Sequence, residues 1–192
     1  MPDHRGPLGT HWVEELRGLI EQRRRKRRIL GLLALAGGTA VLLAASLLWK
    51  PPVLLVWNAS ASAPVGLYRL RPAASVRRSD MVVAWTPGPA RELAARRHYL
   101  PANVPLVKRV AAAPGDEVCA LANSVLINRR RVATRQRIDG AGRPMPWWSG
   151  CQRLGAGEYF LLMDSPGSFD GRDFGITRDS ELLGQAALLW RS

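Results

Sequence analysis

The 192-residue chain is 47% hydrophobic and carries 28 Lys and Arg against 15 Asp and Glu, a formal net charge of +13; that length holds one ordinary domain plus an appendage and excludes two full domains with separate cores. The charge falls in both parts, +5 in residues 1–50 (nine basic, four acidic) and +8 in residues 51–192 (nineteen basic, eleven acidic), which raises two anionic partners, lipid and nucleic acid. No recognition helix, zinc spacing or aromatic RNA-binding strand turns that charge into nucleic-acid readout, so nucleic acid is not an expected partner and a DNA-binding reading rests on charge alone.

Residues 1–28 form a basic leader that ends in RRRKRR (Arg23 to Arg28), and residues 29–49 are an uncharged apolar run. At about 1.5 Å per helical residue, such a run crosses a hydrocarbon core of about 30 Å. It is predicted as a single transmembrane anchor. The positive-inside rule keeps the arginine cluster and the N-terminus cytoplasmic, which puts residues 50–192 across the inner membrane, in the periplasm. Trp49 closes the span as an interfacial aromatic, and Pro51-Pro52 stops the helix. A cleavable secretory signal is the alternative, because Ala44-Ala45-Ser46 places small residues near the end of the run; leader and run are both long for one.

After the anchor, VLLVW (Val53 to Trp57) reads as a short strand leading into the turn-rich NASASAP (Asn58 to Pro64). SDMVVAW (Ser79 to Trp85), PLVKRVAA (Pro105 to Ala112), SVLINRRRV (Ser124 to Val132), GEYFLLM (Gly157 to Met163) and GQAALLW (Gly184 to Trp190) read as further strands. PARELAARRHYL (Pro89 to Leu100) is the helix candidate, opened by Pro at its first turn and stopped before Pro101. Pro114-Gly115-Asp116 is a turn signal that would fold the Lys108 strand back as a hairpin. The domain is therefore predicted as mainly β. Cys119 and Cys151 lie in the oxidising compartment, where either a disulfide or two buried thiols fits the spacing.

The chain holds three lysines, and beyond residue 50 Lys108 is the only one. Arginine cannot shed its proton near neutral pH, whereas a buried lysine can and then serves as a general base. On a strand, Leu106, Lys108 and Val110 share one face, so an inward Lys108 would be desolvated; a surface lysine on an edge strand is the alternative. The small hydroxyls nearest a constrained turn are Ser60 and Ser62. His98 is the only histidine past the anchor and sits among arginines, and no Cys or His cluster has metal-ligand spacing. Neither a metal nor a cofactor is expected.

SASAPVGLY (Ser60 to Tyr68), VKRVAAAPGD (Val107 to Asp116) and GEYFLLMDSPGSFDGRDFG (Gly157 to Gly175) occur in that order and resemble the three blocks of signal peptidase I proteins. The serine block, with Ser two residues before Pro and then Gly-Leu-Tyr, is most like that of the TraF-type peptidases of conjugative transfer systems. The resemblance runs from the anchor to the C-terminus. It implies a signal-peptidase-like β-sheet or barrel domain behind one transmembrane helix, acting as a membrane-anchored serine endopeptidase with a Ser–Lys dyad. Carried over residue by residue, Ser62 matches the nucleophile, Lys108 the base, and Ser60 an oxyanion-hole hydroxyl beside the Ser62 N–H. Asp170 and Arg172 match the pair that supports the site.

Ala63 stands where the housekeeping enzymes have Met, and the third block reads MDSPGSFDGR in place of their Gly-Asp-Asn-Ser and Asp-Ser-Arg; both departures point toward the conjugative branch, and they leave Ser60 and Ser168 more loosely matched than Ser62 and Lys108. The branch implies a pilin-type precursor as substrate, the conjugative pilus apparatus as partner, and a product released linear or closed into a ring. Trp57, Trp147 and Trp148 would rest at the membrane interface. A general signal peptidase for secreted precursors and a non-catalytic anchored component of a pilus or secretion channel are the competing readings.

Overall fold

The computed structural model describes residues 11–48, 54–73 and 76–191. The predicted interfacial Trp49 and helix stop at Pro51-Pro52 lie outside the described residues. The chain divides after Pro52 into two compact units.

The first unit holds one helix, α1 (His11–Leu48), of which Gln22–Leu47 is long and apolar enough to cross a membrane, with a mean hydropathy of 2.1. The helix starts well before the predicted Ile29, because the Glu, Gln, Arg and Lys of the leader are good helix formers that continue the same ladder. Its apolar stretch contains two hydroxyls. Thr39 Oγ1 donates to Ala36 O at 2.9 Å and Ser46 Oγ to Leu43 O at 2.8 Å, so neither needs water inside an apolar medium.

The second unit is mainly β: β1 (Leu55–Asn58), β2 (Gly66–Arg71), β3 (Met81–Ala84), α2 (Gly88–Arg96), β4 (Leu106–Ala112), β5 (Glu117–Leu121), β6 (Ser124–Ile127), β7 (Arg130–Thr134), β8 (Gly150–Arg153), β9 (Glu158–Leu162), α3 (Gly171–Phe174), β10 (Thr177–Arg178) and β11 (Leu182–Arg191). A seven-stranded sheet runs in the order β1-β2-β11-β3-β4-β9-β10 and a four-stranded one in the order β7-β6-β5-β8, with antiparallel pairing throughout. Strand β4 lies inside the larger sheet, Lys108 directly across from Val82. Ala112 and Phe160 of this sheet pack with Val118, Val125 and Ile127 of the smaller one to form a shared core.

Four expectations need correction. Pro114-Gly115-Asp116 does not make a hairpin with β4, whose two edges are already taken by β3 and β9. The Gly115 N–H instead donates to Leu154 O at 2.9 Å, which steers the chain into the second sheet beside β8. The predicted strand Ser124–Val132 is two strands, separated by Asn128 and Arg129 at φ 49° and 68°; a two-residue turn with both φ positive matches the strand twist, and Asn tolerates that region. The helix stops at Arg96 rather than Leu100, and His98 follows it exposed, at φ 59°. Trp148 is not interfacial: its indole N–H donates to Gly171 O at 3.1 Å and its ring meets Phe160 edge-on in the core. Strands β2, β5, β8 and β10 had no counterpart among the predicted elements.

Trp57 and Trp190 do lie outside, half exposed, with ring centroids 5.7 Å apart. Leu67 of β2 separates them in register, and Leu54, Leu55, Leu188 and Leu189 extend the apolar surface. Arg69 pairs in register with Leu55, and Arg69, Arg71 and Arg191 are exposed on the same two strands, β2 and β11. Strands β2 and β11 approach so closely at Gly66 that a Cβ there would stand 2.1 Å from Trp190 O.

Cys119 and Cys151 form a disulfide across paired positions of β5 and β8, closing a 32-residue separation. The Cys119→Ser/Cys151→Ser double variant is expected to lose about 3–4 kcal/mol through the freer unfolded chain, on the order of 10 °C in melting temperature. Calorimetry of oxidised wild type against the variant measures this.

Candidate active site

The segment between β1 and β2 carries the two serines on a loop that makes no ladder bonds of its own. Asn58, buried at the end of β1, shapes it: Nδ2 donates to Ser60 O at 2.9 Å and to Ala63 O and Pro64 O at 3.1 Å, while Oδ1 accepts from the Ser60 N–H at 3.2 Å. The Tyr68 hydroxyl donates to Pro64 O at 2.8 Å. One side chain thus satisfies most of the backbone polar groups that a tight turn leaves unpaired.

On this loop Ser60 Oγ and Ser62 Oγ lie 2.9 Å apart, and the Ser62 N–H donates to Ser60 Oγ at 3.3 Å. Lys108 reaches across from β4. Its Nζ lies 2.9 Å from Ser62 Oγ and donates to Ser168 Oγ at 2.7 Å, and the residue is 2% exposed. The structure therefore places Lys108 inward on a central strand, not on a surface edge. Burial pushes the Lys108 amine down to about 8, the nearby Asp170 and Asp173 carboxylates partly opposing and the Arg172 charge adding to the fall.

Asp170 and Arg172 form a buried pair at 2.9 Å. They do not touch the serines. Asp170 Oδ2 accepts from the Met163 N–H at 3.1 Å, Arg172 Nη2 donates to Met163 O, and Arg172 Nη1 donates to Pro166 O at 3.0 Å. The pair thereby closes residues 163–172 into a loop that holds Ser168 against Lys108. Asp170 also caps α3, accepting from the Arg172 N–H, with Asp173 returning the bond to the Asp170 N–H. Gly171 is required where this loop meets β9, since a Cβ would sit 2.7 Å from Leu161 O and 2.8 Å from the Phe160 ring.

These groups floor a cleft of about 620 Å³ walled by Leu100, Pro101, Val104, Leu106, Met145 and Phe169. Tyr99, which donates to the Asp139 carboxylate, pins the Asp139–Met145 side of the wall to the segment after α2; that bond first, then Arg143 and backbone N–H groups, holds Asp139 well below the usual carboxylate range. The arrangement pairs a serine hydroxyl with a desolvated amine at the base of a largely apolar cleft.

Sequence reasoning missed Asn58, the contact of Ser168 with Lys108, Asp173 and the Tyr99–Asp139 tie. For Asn58 a signal was available, an Asx residue directly ahead of a serine-rich turn; the other three depend on long-range packing.

The description signal peptidase, peptidase S26, fits residues 26–191 as a family. The plasmid transfer protein TraF of Escherichia coli is 32% identical over 170 residues, 83% of this chain and 94% of that protein. A solved signal peptidase I from Enterococcus faecalis is 19% identical and superposes over 59% of this chain and 97% of its own with a TM-score of 0.34. The chain belongs to the signal peptidase S26 family, serine peptidases of the signal-peptidase type, in its TraF-type branch.

Proposed function

We propose that this is a membrane-anchored serine endopeptidase in which Ser62 and Lys108 act as a Ser–Lys dyad on a pilin-type precursor of a plasmid transfer system. The observation that carries the dyad is the approach of a buried Lys108 Nζ to 2.9 Å from Ser62 Oγ. In its neutral form the amine donates one N–H to Ser168 and turns its lone pair to the Ser62 hydroxyl. It takes that proton as Oγ attacks the peptide carbonyl, then returns it to the leaving amine. The resulting acyl-enzyme is resolved by water, or by the amine of the substrate's own N-terminus to close a ring. The Ser62 N–H and Ser60 hydroxyl, already adjacent, receive the carbonyl oxygen; one such donor is worth about 10²–10³ in rate.

The TraF likeness supports a precursor of a plasmid transfer system as substrate, and the transfer apparatus is the expected partner. The Arg23–Arg28 cluster ahead of the span argues for a cytoplasmic N-terminus, with residues 50–192 periplasmic. The Trp57–Trp190 surface, with exposed arginines on its strands, suits an interface between hydrocarbon and anionic headgroups.

Co-expression with pilin-type precursors, followed by mass analysis, tests the reading. Wild type is expected to give a truncated product, with loss of one further water where a ring closes. Maturation that persists in Ser62→Ala would favour a non-catalytic role.

A further inference from the structure

We propose that Tyr99 is a positioning residue for the substrate chain: it ties the turn at residues 138–144 to the segment after α2 and so sets the width of the cleft in which the peptide lies. The inference rests on the dyad reading and concerns how the peptide is held, not how it is cut.

Residues 135–148, between β7 and β8, leave the smaller sheet and return to it, and both ends of this excursion are fastened. The Arg135 N–H donates to Asn123 O at 2.8 Å, Arg135 Nη1 donates to Trp148 O at 2.6 Å, and the Trp148 indole N–H donates to Gly171 O. The far part is a tight turn of its own. Ile138 bridges Pro144, the Gly142 N–H donates to Asp139 O at 2.9 Å, and Asp139 Oδ1 accepts from the Ala141 and Arg143 N–H groups at 2.9 and 2.8 Å. Among the described residues no ladder joins this turn to the seven-stranded sheet that carries Lys108, yet Gln136, Asp139, Gly140 and Met145 line the same cleft as Ser62 and Lys108.

Side chains therefore fix its distance from the facing wall. Arg97 Nη1 donates to Pro144 O at 2.8 Å, and the Tyr99 hydroxyl donates to the Asp139 carboxylate and lies 3.6 Å from Met145 Sδ. The Tyr99 ring packs against Phe169, with centroids 5.4 Å apart, and the Arg143 guanidinium stands 5.5 Å from its centre. Tyr99 thus joins the walls of the cleft: its own segment, which continues through Leu100 and Val104, the turn that leads into Met145, and the loop that carries Ser168 and Phe169. His98 aims it there. At φ 59°, just past the end of α2, His98 turns the chain out of the helix, and the Tyr99 N–H returns to Ala94 O at 2.9 Å.

Tyr99 makes no hydrogen bond with Ser62, Lys108 or Ser168, so the dyad does not depend on its hydroxyl. A peptide that reaches Ser62 needs more than the dyad, because the residues beside its reacting carbonyl must be held between the Leu100–Val104 wall and Met145. Asp139 offers that peptide no free charge, its oxygens being taken by Tyr99, Arg143 and two N–H groups. Tyr99→Phe keeps the ring against Phe169 and leaves Asp139 with Arg143 and the same two N–H groups, so the turn survives while its tie across the cleft is lost.

The test sets labelling of Ser62 by a small fluorophosphonate, which needs the dyad alone, beside protection of that serine by an acetylated, amidated ten-residue peptide of Ala, Leu and Ser, both in the full chain in detergent. Tyr99→Phe is expected to label within about twofold of wild type, with an unmoved pH midpoint, and to need about 3- to 10-fold more peptide for half protection. Met145→Ala, which removes the apolar side chain that the tie positions, weakens protection with labelling kept, and does so less in the Tyr99→Phe background than alone.

Unchanged or strengthened protection in Tyr99→Phe overturns the inference, and so does a loss of labelling in step with protection, which assigns Tyr99 to the fold alone. Wild type that labels at Ser62 but gains no protection from the peptide at millimolar concentration overturns it too and leaves the dyad standing. Wild type that fails to label at Ser62 removes the dyad reading itself, and the inference with it.

Discussion

Lys108→Met is expected to abolish turnover, by at least about 10⁴-fold, and at the same time to stabilise the fold at neutral pH. The activity loss follows from chemistry: Lys108 Nζ is the amine within hydrogen-bond reach of Ser62 Oγ, at 2.9 Å, and methionine offers no base in its place. The stability gain follows from solvation. Below about 8 the folded domain holds an ammonium in a dry site, whereas the unfolded chain carries it in water. The fall from 10.5 to about 8 sets an upper bound of about 3 kcal/mol on that penalty. Two serine hydroxyls lose a partner in the variant, at about 1 kcal/mol each.

The net gain is then about 1–2 kcal/mol, roughly 5 °C in melting temperature. The sign can be checked against pH. Between about 8 and 10.5 the folded chain binds fewer protons than the unfolded one, so wild-type stability rises through that window and the advantage of the variant shrinks. Lys108→Arg should be as inactive without the gain, because its charge cannot be shed. Thermal melts at neutral and alkaline pH, run beside activity assays, measure both effects.

Asp170→Ala should have the opposite character, losing about 3–5 kcal/mol along with most activity. The variant strands Arg172 in a buried site, removes the acceptor for the Met163 N–H and uncaps α3. Ser168 is carried by the loop these bonds close, so its contact with Lys108 loosens and the amine loses its aim; displacement of about 1 Å in such a site costs about 10² in rate. The comparison is Asp164→Ala, which breaks the Arg109–Asp164 pair at 2.9 Å on the surface. That change should cost less than about 1 kcal/mol. Denaturant unfolding of the two variants, with kcat measured in parallel, separates a buried pair that shapes the site from an exposed one that does not.

The parts of this site that could be read from the residues are those where chemistry restricts the choice. In an arginine-rich domain a single lysine on an apolar strand stands out, because only lysine can become a neutral base. The serine turn stands out because small and turn-forming residues cluster directly after the apolar run Val53 to Trp57. The mainly β character was legible from runs such as Met81–Ala84 and Glu158–Leu162, whose apolar residues continue through the strand. What was not legible is which strand meets which. Pro114-Gly115-Asp116 announces a turn, but its direction depends on Leu154, far along the chain, offering a carbonyl to the Gly115 N–H. Trp147 and Trp148 look interfacial by type, and only the fold turns one into the core and sets both against Arg135. Asp173 carries no signal in the sequence, and its burial is a property of the capped turn of α3 that holds it.

The most direct test of the account is to treat the detergent-solubilised full chain with a fluorophosphonate probe at pH 9 and map the adduct by peptide mass analysis. A single adduct on Ser62 that is lost in Lys108→Met, while the variant remains folded, is the predicted result. Labelling confined to other serines, or undiminished labelling of Ser62 without the lysine, would contradict the claim that a buried amine activates this hydroxyl.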